Sequence, residues 1–114
     1  METVITGESF TVEWDPDTRT AALTGILRLN GLEEYGPIAR FLSDAVPHGS
    51  MNLNLRGLQF LNSSGIAMLS KFVIEIRNRK SVDLTILGSK AVSWQGKSLA
   101  NLCKLMPGLR MEIA

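Results

Sequence analysis

The chain has 114 residues, 45% hydrophobic and 20% charged, with a net charge of +1; this is the profile of one folded domain with a single core, and it excludes a disordered chain. The charge is uneven: residues 1–54 hold eight acids and three bases, whereas residues 55–114 hold three acids and nine bases, which predicts a two-signed surface. The bases are dispersed, and no arginine stripe carries aromatics between its members, which argues against nucleic-acid binding.

The first ten residues, METVITGESF, are polar and acidic, unlike a secretory signal. Phe10, Val12 and Trp14 then alternate along FTVEW and predict a strand. Asp15-Pro16-Asp17 predicts a turn, because proline presets its φ and Asp17 can bond nearby amides. Thr20–Leu29 resumes strand character, with Gly25 as a bulge or close-approach point, so the two runs make a hairpin. From Glu33 to Val46 the period changes, and Tyr35, Ile38, Ala39, Leu42 and Val46 fall on one helical stripe. Pro37 is expected in the first turn, where its missing N–H costs nothing. Pro47-His48-Gly49 stops the helix.

Met51–Leu55 alternates again and predicts a strand, followed by Arg56–Phe60 as a short crossing loop. A second helix starts near Ser64, with Ile66, Leu69, Val73 and Ile76 at helical spacing and Met68 and Phe72 widening the apolar face. Lys71, Glu75 and Arg79 lie four apart on its outer face, a weakly supportive pattern. Val82–Leu87 is a strand that Gly88 ends. Leu99, Leu102, Cys103 and Met106 predict a third helix, which Pro107-Gly108 closes, and Leu109–Ile113 is a final strand, expected at an edge. The order β-β-α-β-α-β-α-β predicts an α/β fold, one mixed sheet with helices packed on it, in a single domain spanning residues 1–114. Consecutive helices are expected on one side of the sheet unless the strand order reverses. No apolar run reaches membrane-spanning length. Cys103 is the one cysteine, so no intramolecular disulfide forms. A reducing, cytoplasmic setting follows as the expectation.

The segment Leu61–Ile66, LNSSGI, delivers Asn62, Ser63 and Ser64 to a helix start. Unpaired N–H groups lie there and the helix dipole favours negative charge. One reading is structural: a serine caps the helix and its neighbour faces solvent. The other is chemical: a phosphoryl group on a serine carries about −1.5 to −2 charges and gains from the helix end. Composition alone leaves both open.

The wider segment Leu53–Ile66, LNLRGLQFLNSSGI, resembles the signature of STAS domains, the anti-sigma-factor antagonist family: an apolar strand with an aspartate, a loop with a spaced hydrophobic, then Asp-Ser-Ser/Thr-Gly and an apolar helix. The stretch GSKAVSWQGKSLANLCKLMPGL is similar to a STAS-like group found chiefly in cyanobacteria. The resemblance implies a non-catalytic switch, with no cofactor. A histidine-kinase-like serine kinase binds and phosphorylates the unmodified protein, and a PP2C-type phosphatase reverses the modification. Ser63 matches the phosphorylated serine, Ser64 and Gly65 the small residues after it, and Asn54 and Asn62 the two aspartates. Both aspartates are thus neutral here, which favours partner binding over phosphorylation as the property carried across. A constitutive scaffold and a small-ligand sensor, with an apolar pocket under the second helix, are the alternatives.

Trp94-Gln95-Gly96-Lys97 precedes the third helix. Trp94 either covers the sheet edge or anchors a partner, since aromatic anchors dominate interface energetics. Loops after parallel strands share one end of a sheet, so Trp94 is expected near Ser63, with Lys90, Lys97 or Arg56 as candidate cations for a phosphate there. His48 is the one histidine and Cys103 lies on an apolar stripe, so a metal site lacks ligands. His48 and Ser63 flank the central strand from opposite ends, out of the reach that nucleophilic catalysis requires.

Overall fold

The computed structural model describes residues 3–106 and 108–114. Pro107, expected to help close the third helix, lies outside the described residues, as do the first two residues of the N-terminal stretch. Ten elements follow in order: β1 (Val4–Thr6), β2 (Phe10–Asp15), β3 (Thr20–Leu27), α1 (Gly31–Ala45), β4 (Gly49–Asn54), β5 (Leu58–Leu61), α2 (Ser63–Arg79), β6 (Val82–Gly88), α3 (Gln95–Cys103) and β7 (Arg110–Ile113). The predicted order is present, with two short strands added, β1 and β5.

The strands form one sheet in the order β1-β2-β3-β4-β6-β7. The first three are antiparallel neighbours, and β3, β4, β6 and β7 run parallel. The order does not reverse after β3. Right-handed crossovers therefore lay α1, α2 and α3 side by side on one face. The inward positions of each strand fill the core under them: Val12, Ala21, Leu23, Met51, Leu53, Leu84 and Ile86 are buried. Their neighbours in sequence, such as Thr24, Asn52 and Thr85, face the other, open side and are exposed or half-buried. β7 stands at an edge, as its short alternating sequence predicts.

β5 replaces the expected crossing loop. Its Leu58–Leu61 pairs with Gly25–Leu27 of β3, while β4 pairs with Thr20–Ala22. Two successive strands thus share one flank of β3. The register shifts between Gly25 and Ile26. Gly25 has φ +93°, and a Cβ there would run into the Ser9 carbonyl, so the position is both the bulge and the close approach that its sequence predicts.

α1 begins at Gly31, earlier than the apolar stripe indicates. The Glu34 carboxylate Oε1 accepts the Asn30 N–H at 3.1 Å and fixes this start. Pro37 consequently sits inside the helix, not in its first turn. Its side chain is exposed, so water can serve the carbonyl that loses an intrahelical donor. α1 and α2 both follow parallel strands and run alongside each other. Near their C-terminal ends the Ser43 hydroxyl donates to the Glu75 carboxylate (2.6 Å to Oε1), which also pairs with Arg79 at 2.6 Å.

Candidate functional site

Asn62 joins three elements. Its backbone N–H donates to the Leu27 carbonyl at the end of β3, at 3.2 Å. The side-chain Nδ2 donates to the Leu29 carbonyl at 2.8 Å. Oδ1 accepts the Tyr35 hydroxyl from α1 at 2.6 Å and the Gly65 N–H of α2 at 3.0 Å. Asn62 is therefore the N-cap of α2, and neither serine performs that task. The Nδ2 donor explains the amide: a carboxylate at this position would set oxygen against the Leu29 carbonyl oxygen.

Tyr35 is fully buried. Burial pushes its phenol above the ordinary range, partly offset by a backbone hydrogen bond from Leu29. Gly65 is what lets the tyrosine come so close. A Cβ at Gly65 would overlap the Leu61 side chain and lie 2.7 Å from the Tyr35 hydroxyl oxygen.

These contacts fix the turn and leave Ser63 exposed as the first residue of α2, with Ser64 half-buried behind it. Of the amides that an α-helix leaves unpaired at its start, that of Asn62 is taken by Leu27 and that of Gly65 by Asn62 Oδ1. The amides of Ser63 and Ser64 are the two left to meet whatever approaches the turn.

Arg28 is a residue near this turn that sequence reasoning missed. It lies between Leu27 and Leu29, whose carbonyls are both held by Asn62. Its guanidinium lies 4.8 Å from the centre of the Phe60 ring, a cation–π distance. The signal was available only with the β3–β5 register, which places the residue after Leu27 beside the residue after Leu61.

The remaining candidates gather elsewhere, around the turn at residues 55–58. Asn54 Oδ1 accepts the Arg56 N–H at 3.0 Å, and Arg56 Nε donates to the Gly88 carbonyl at 3.2 Å. Trp94 is half-buried and donates its indole N–H to the Leu58 carbonyl at 3.0 Å. Gln95 is fully buried, donating to the Leu55 (2.6 Å) and Leu58 (3.0 Å) carbonyls while accepting the Ser89 N–H at 2.7 Å. Gln95 was also missed as a structural residue. It lies four before Leu99 on the stripe that Leu102 and Met106 continue, so a polar residue at a core position was the available signal. Lys90 and Lys97 are exposed.

Trp94 thus bonds the first residue of β5, and Ser63 comes two residues after its last. Three residue steps separate Leu58 from Leu61, roughly 10 Å of extended chain. The structure brings Asn62, Ser63, Ser64 and Gly65 together at one end of β5, and Asn54, Arg56 and Trp94 at the other.

Two of the exposed large hydrophobic residues lie on the segments that Asn62 ties together: Phe60, 37% exposed, on β5, and Leu32, 42% exposed, in the first turn of α1. A groove of about 220 Å³ runs between α1 and α2, lined by Leu32, Ala39, Met68, Lys71, Phe72 and Glu75. A larger open groove of about 820 Å³ lies between β1 and α1, with Ile5 and Phe41 beside Glu33, Arg40 and Asp44. Among the described residues no group of three or more His, Cys, Asp or Glu side chains is placed to hold a metal ion.

No protein-family model matches the sequence, and no curated protein does. The structure is similar to SiaC of Pseudomonas aeruginosa, with 97% of each chain covered, a TM-score of 0.69 and 13% sequence identity. The likeness extends over nearly the whole length of both chains, and the fold of this chain, a mixed sheet with three helices packed on it, is STAS-like.

Proposed function

We propose that the chain is a non-catalytic protein-interaction switch in a bacterial partner-switching pathway, controlled by reversible phosphorylation of Ser63. The observation that supports it most is the contrast between Ser63 and its neighbours. Asn62 is fastened through five hydrogen bonds and Gly65 is packed against Leu61 and Tyr35, while Ser63 stands exposed between them. A kinase can reach its hydroxyl without opening the fold. The phosphoryl group would meet two unpaired amides and the positive end of α2. It would also place about two negative charges beside Leu32, Phe60 and the α1–α2 groove, the apolar footing for a partner.

The resemblance names the partners: a histidine-kinase-like serine kinase that binds the unmodified form and a PP2C-type phosphatase that restores it. It also supports a cyanobacterial-type STAS-like group through residues 88–109. Trp94, Lys97, Lys90 and Arg56 form a second contact patch, one β5 length from the serine. A reducing cytoplasm is the proposed setting; no helix among the described residues is long and apolar enough to cross a membrane.

A constitutive scaffold is the second reading. It is favoured by Asn54 and Asn62, whose neutral side chains hold turns. A ligand-sensing role, which the sequence placed in an apolar pocket under the second helix, would have the α1–α2 groove or the larger β1–α1 groove to use. Paired pull-downs from the source cells, with wild type and Ser63→Asp as baits, separate these readings. The switch predicts a kinase-like partner on wild type that Ser63→Asp loses. Identical partners on both baits favour the scaffold, and no kinase-like or phosphatase-like partner on either bait contradicts the switch.

A further inference from the structure

We infer that Arg28 is the residue that receives the phosphoryl group on Ser63, and that it leaves the Phe60 ring to do so. The inference rests on the phosphorylation reading above and names how the modified state changes the surface. Both carbonyls flanking Arg28 are bonded by Asn62. Backbones of paired strands lie about 4.8 Å apart, and consecutive Cα atoms about 3.8 Å. The Arg28 and Ser63 Cα atoms are therefore separated by roughly 9 Å at most, within the combined span of an arginine and a phosphoserine.

In the unmodified protein the guanidinium rests over Phe60, 4.8 Å from the ring centre. Both side chains are exposed, where a cation–π contact is weak. A charge-assisted, bidentate bond to a dianionic phosphate is stronger than that contact. Arg28 therefore moves, and the Phe60 face it covered opens to solvent or to a partner. Other charged groups on the adjoining elements do not substitute for it. Glu33 and Glu34 in the first turn of α1 are acidic, with Glu34 engaged by the Asn30 N–H. Lys71 lies eight residues along α2, about 12 Å from its first turn. Phosphorylation thus exchanges a covered aromatic for an exposed one beside a new arginine–phosphate pair, and a partner that prefers either surface can tell the two states apart.

The test uses full-length protein carrying phosphoserine at position 63, installed during translation, in wild-type, Arg28→Gln and Arg28→Lys backgrounds. Phosphorus NMR titration reads the second pKa of the phosphate, and proton NMR reads the Phe60 ring. A neighbouring cation favours the dianion. The wild-type pKa is expected to lie about half a unit or more below that of Arg28→Gln, with Arg28→Lys between them. The Phe60 ring signals should shift on phosphorylation in wild type and stay in place in Arg28→Gln. Equal phosphate pKa values in wild type and Arg28→Gln would overturn the assignment. Arg28 is exposed, and matching amide spectra of the three proteins check that the fold is unchanged. Because the phosphate is installed without a kinase, an unmodified Ser63 in cells would count against the proposed function and not against this pairing.

Discussion

Gln95 and Asn62 are both primary amides that use oxygen and nitrogen together, yet their surroundings differ completely. Gln95 is sealed in the core, where it holds the turn at residues 55–58 to the start of α3. Asn62 is half-buried and holds the ends of β3, α1 and α2 in one place, with an exposed serine next to it. Each side chain makes three hydrogen bonds, using its oxygen and its nitrogen, and is a fastener in either case. What the second location adds is presentation: the rigid cap fixes where the Ser63 hydroxyl stands while leaving it free of structural duty.

The contrast predicts the largest loss at the buried amide. Gln95→Ala strands the Ser89 amide, takes one of two donors from each of the Leu55 and Leu58 carbonyls and opens a cavity, so urea unfolding should show a loss of about 3 kcal/mol. Next comes Gly65→Ala, which drives a methyl group into Leu61 and Tyr35. It should cost about 2 kcal/mol by the same measurement. Asn62→Ala removes the cap and two further bonds, at about 2 kcal/mol. Asn62→Asp keeps the cap and the Tyr35 acceptor and loses only the Leu29 bond, so about 1 kcal/mol is expected. A cost for Asn62→Asp equal to that for Asn62→Ala would show that the Leu29 bond, not the cap, is the main tie.

A smaller effect concerns Tyr35 and alkaline pH. The unfolded phenol loses its proton near pH 10, and in the folded protein burial holds that proton to higher pH. The associated stability is full below pH 10 and is lost as pH rises through the folded value. Cys103 acts in the same direction from its ordinary value of 9.0, again because burial raises it. Tyr35→Phe should therefore cost about 1 kcal/mol near neutral pH and flatten the fall in stability above pH 10. An unchanged alkaline slope would remove Tyr35 from the account. Ser63→Ala should change stability by less than about 0.5 kcal/mol, because the Ser63 hydroxyl makes none of the bonds that fix the turn.

The helices were legible because their stripes are regular: Leu69, Val73 and Ile76 repeat as a buried helical face must. β5 was not, because Leu58 and Leu61 are both buried three apart, which breaks a period of two. Its strand character comes from β3, whose shifted register at Gly25 supplies the partner. β1 has only three residues and takes its shape from pairing with β2. The start of α1 depended on a side-chain bond from Glu34 that no apolar pattern announces. At the site, the serine motif was readable as a string, while the roles within it were not. The cap falling to Asn62, the Tyr35 contact and the position of Arg28 all require the third dimension.

The proposed switch requires the exposed Ser63 hydroxyl, on its fixed turn, to be modified in cells. The most direct test is intact-mass and phosphosite mapping of the protein purified from its source cells under several growth conditions, beside Ser63→Ala. The proposed switch predicts one phosphoryl group, located on Ser63, whose occupancy changes with condition and which is absent from the variant. A Ser63 that stays unmodified in every condition would contradict it and leave the rigid turn as a scaffold feature.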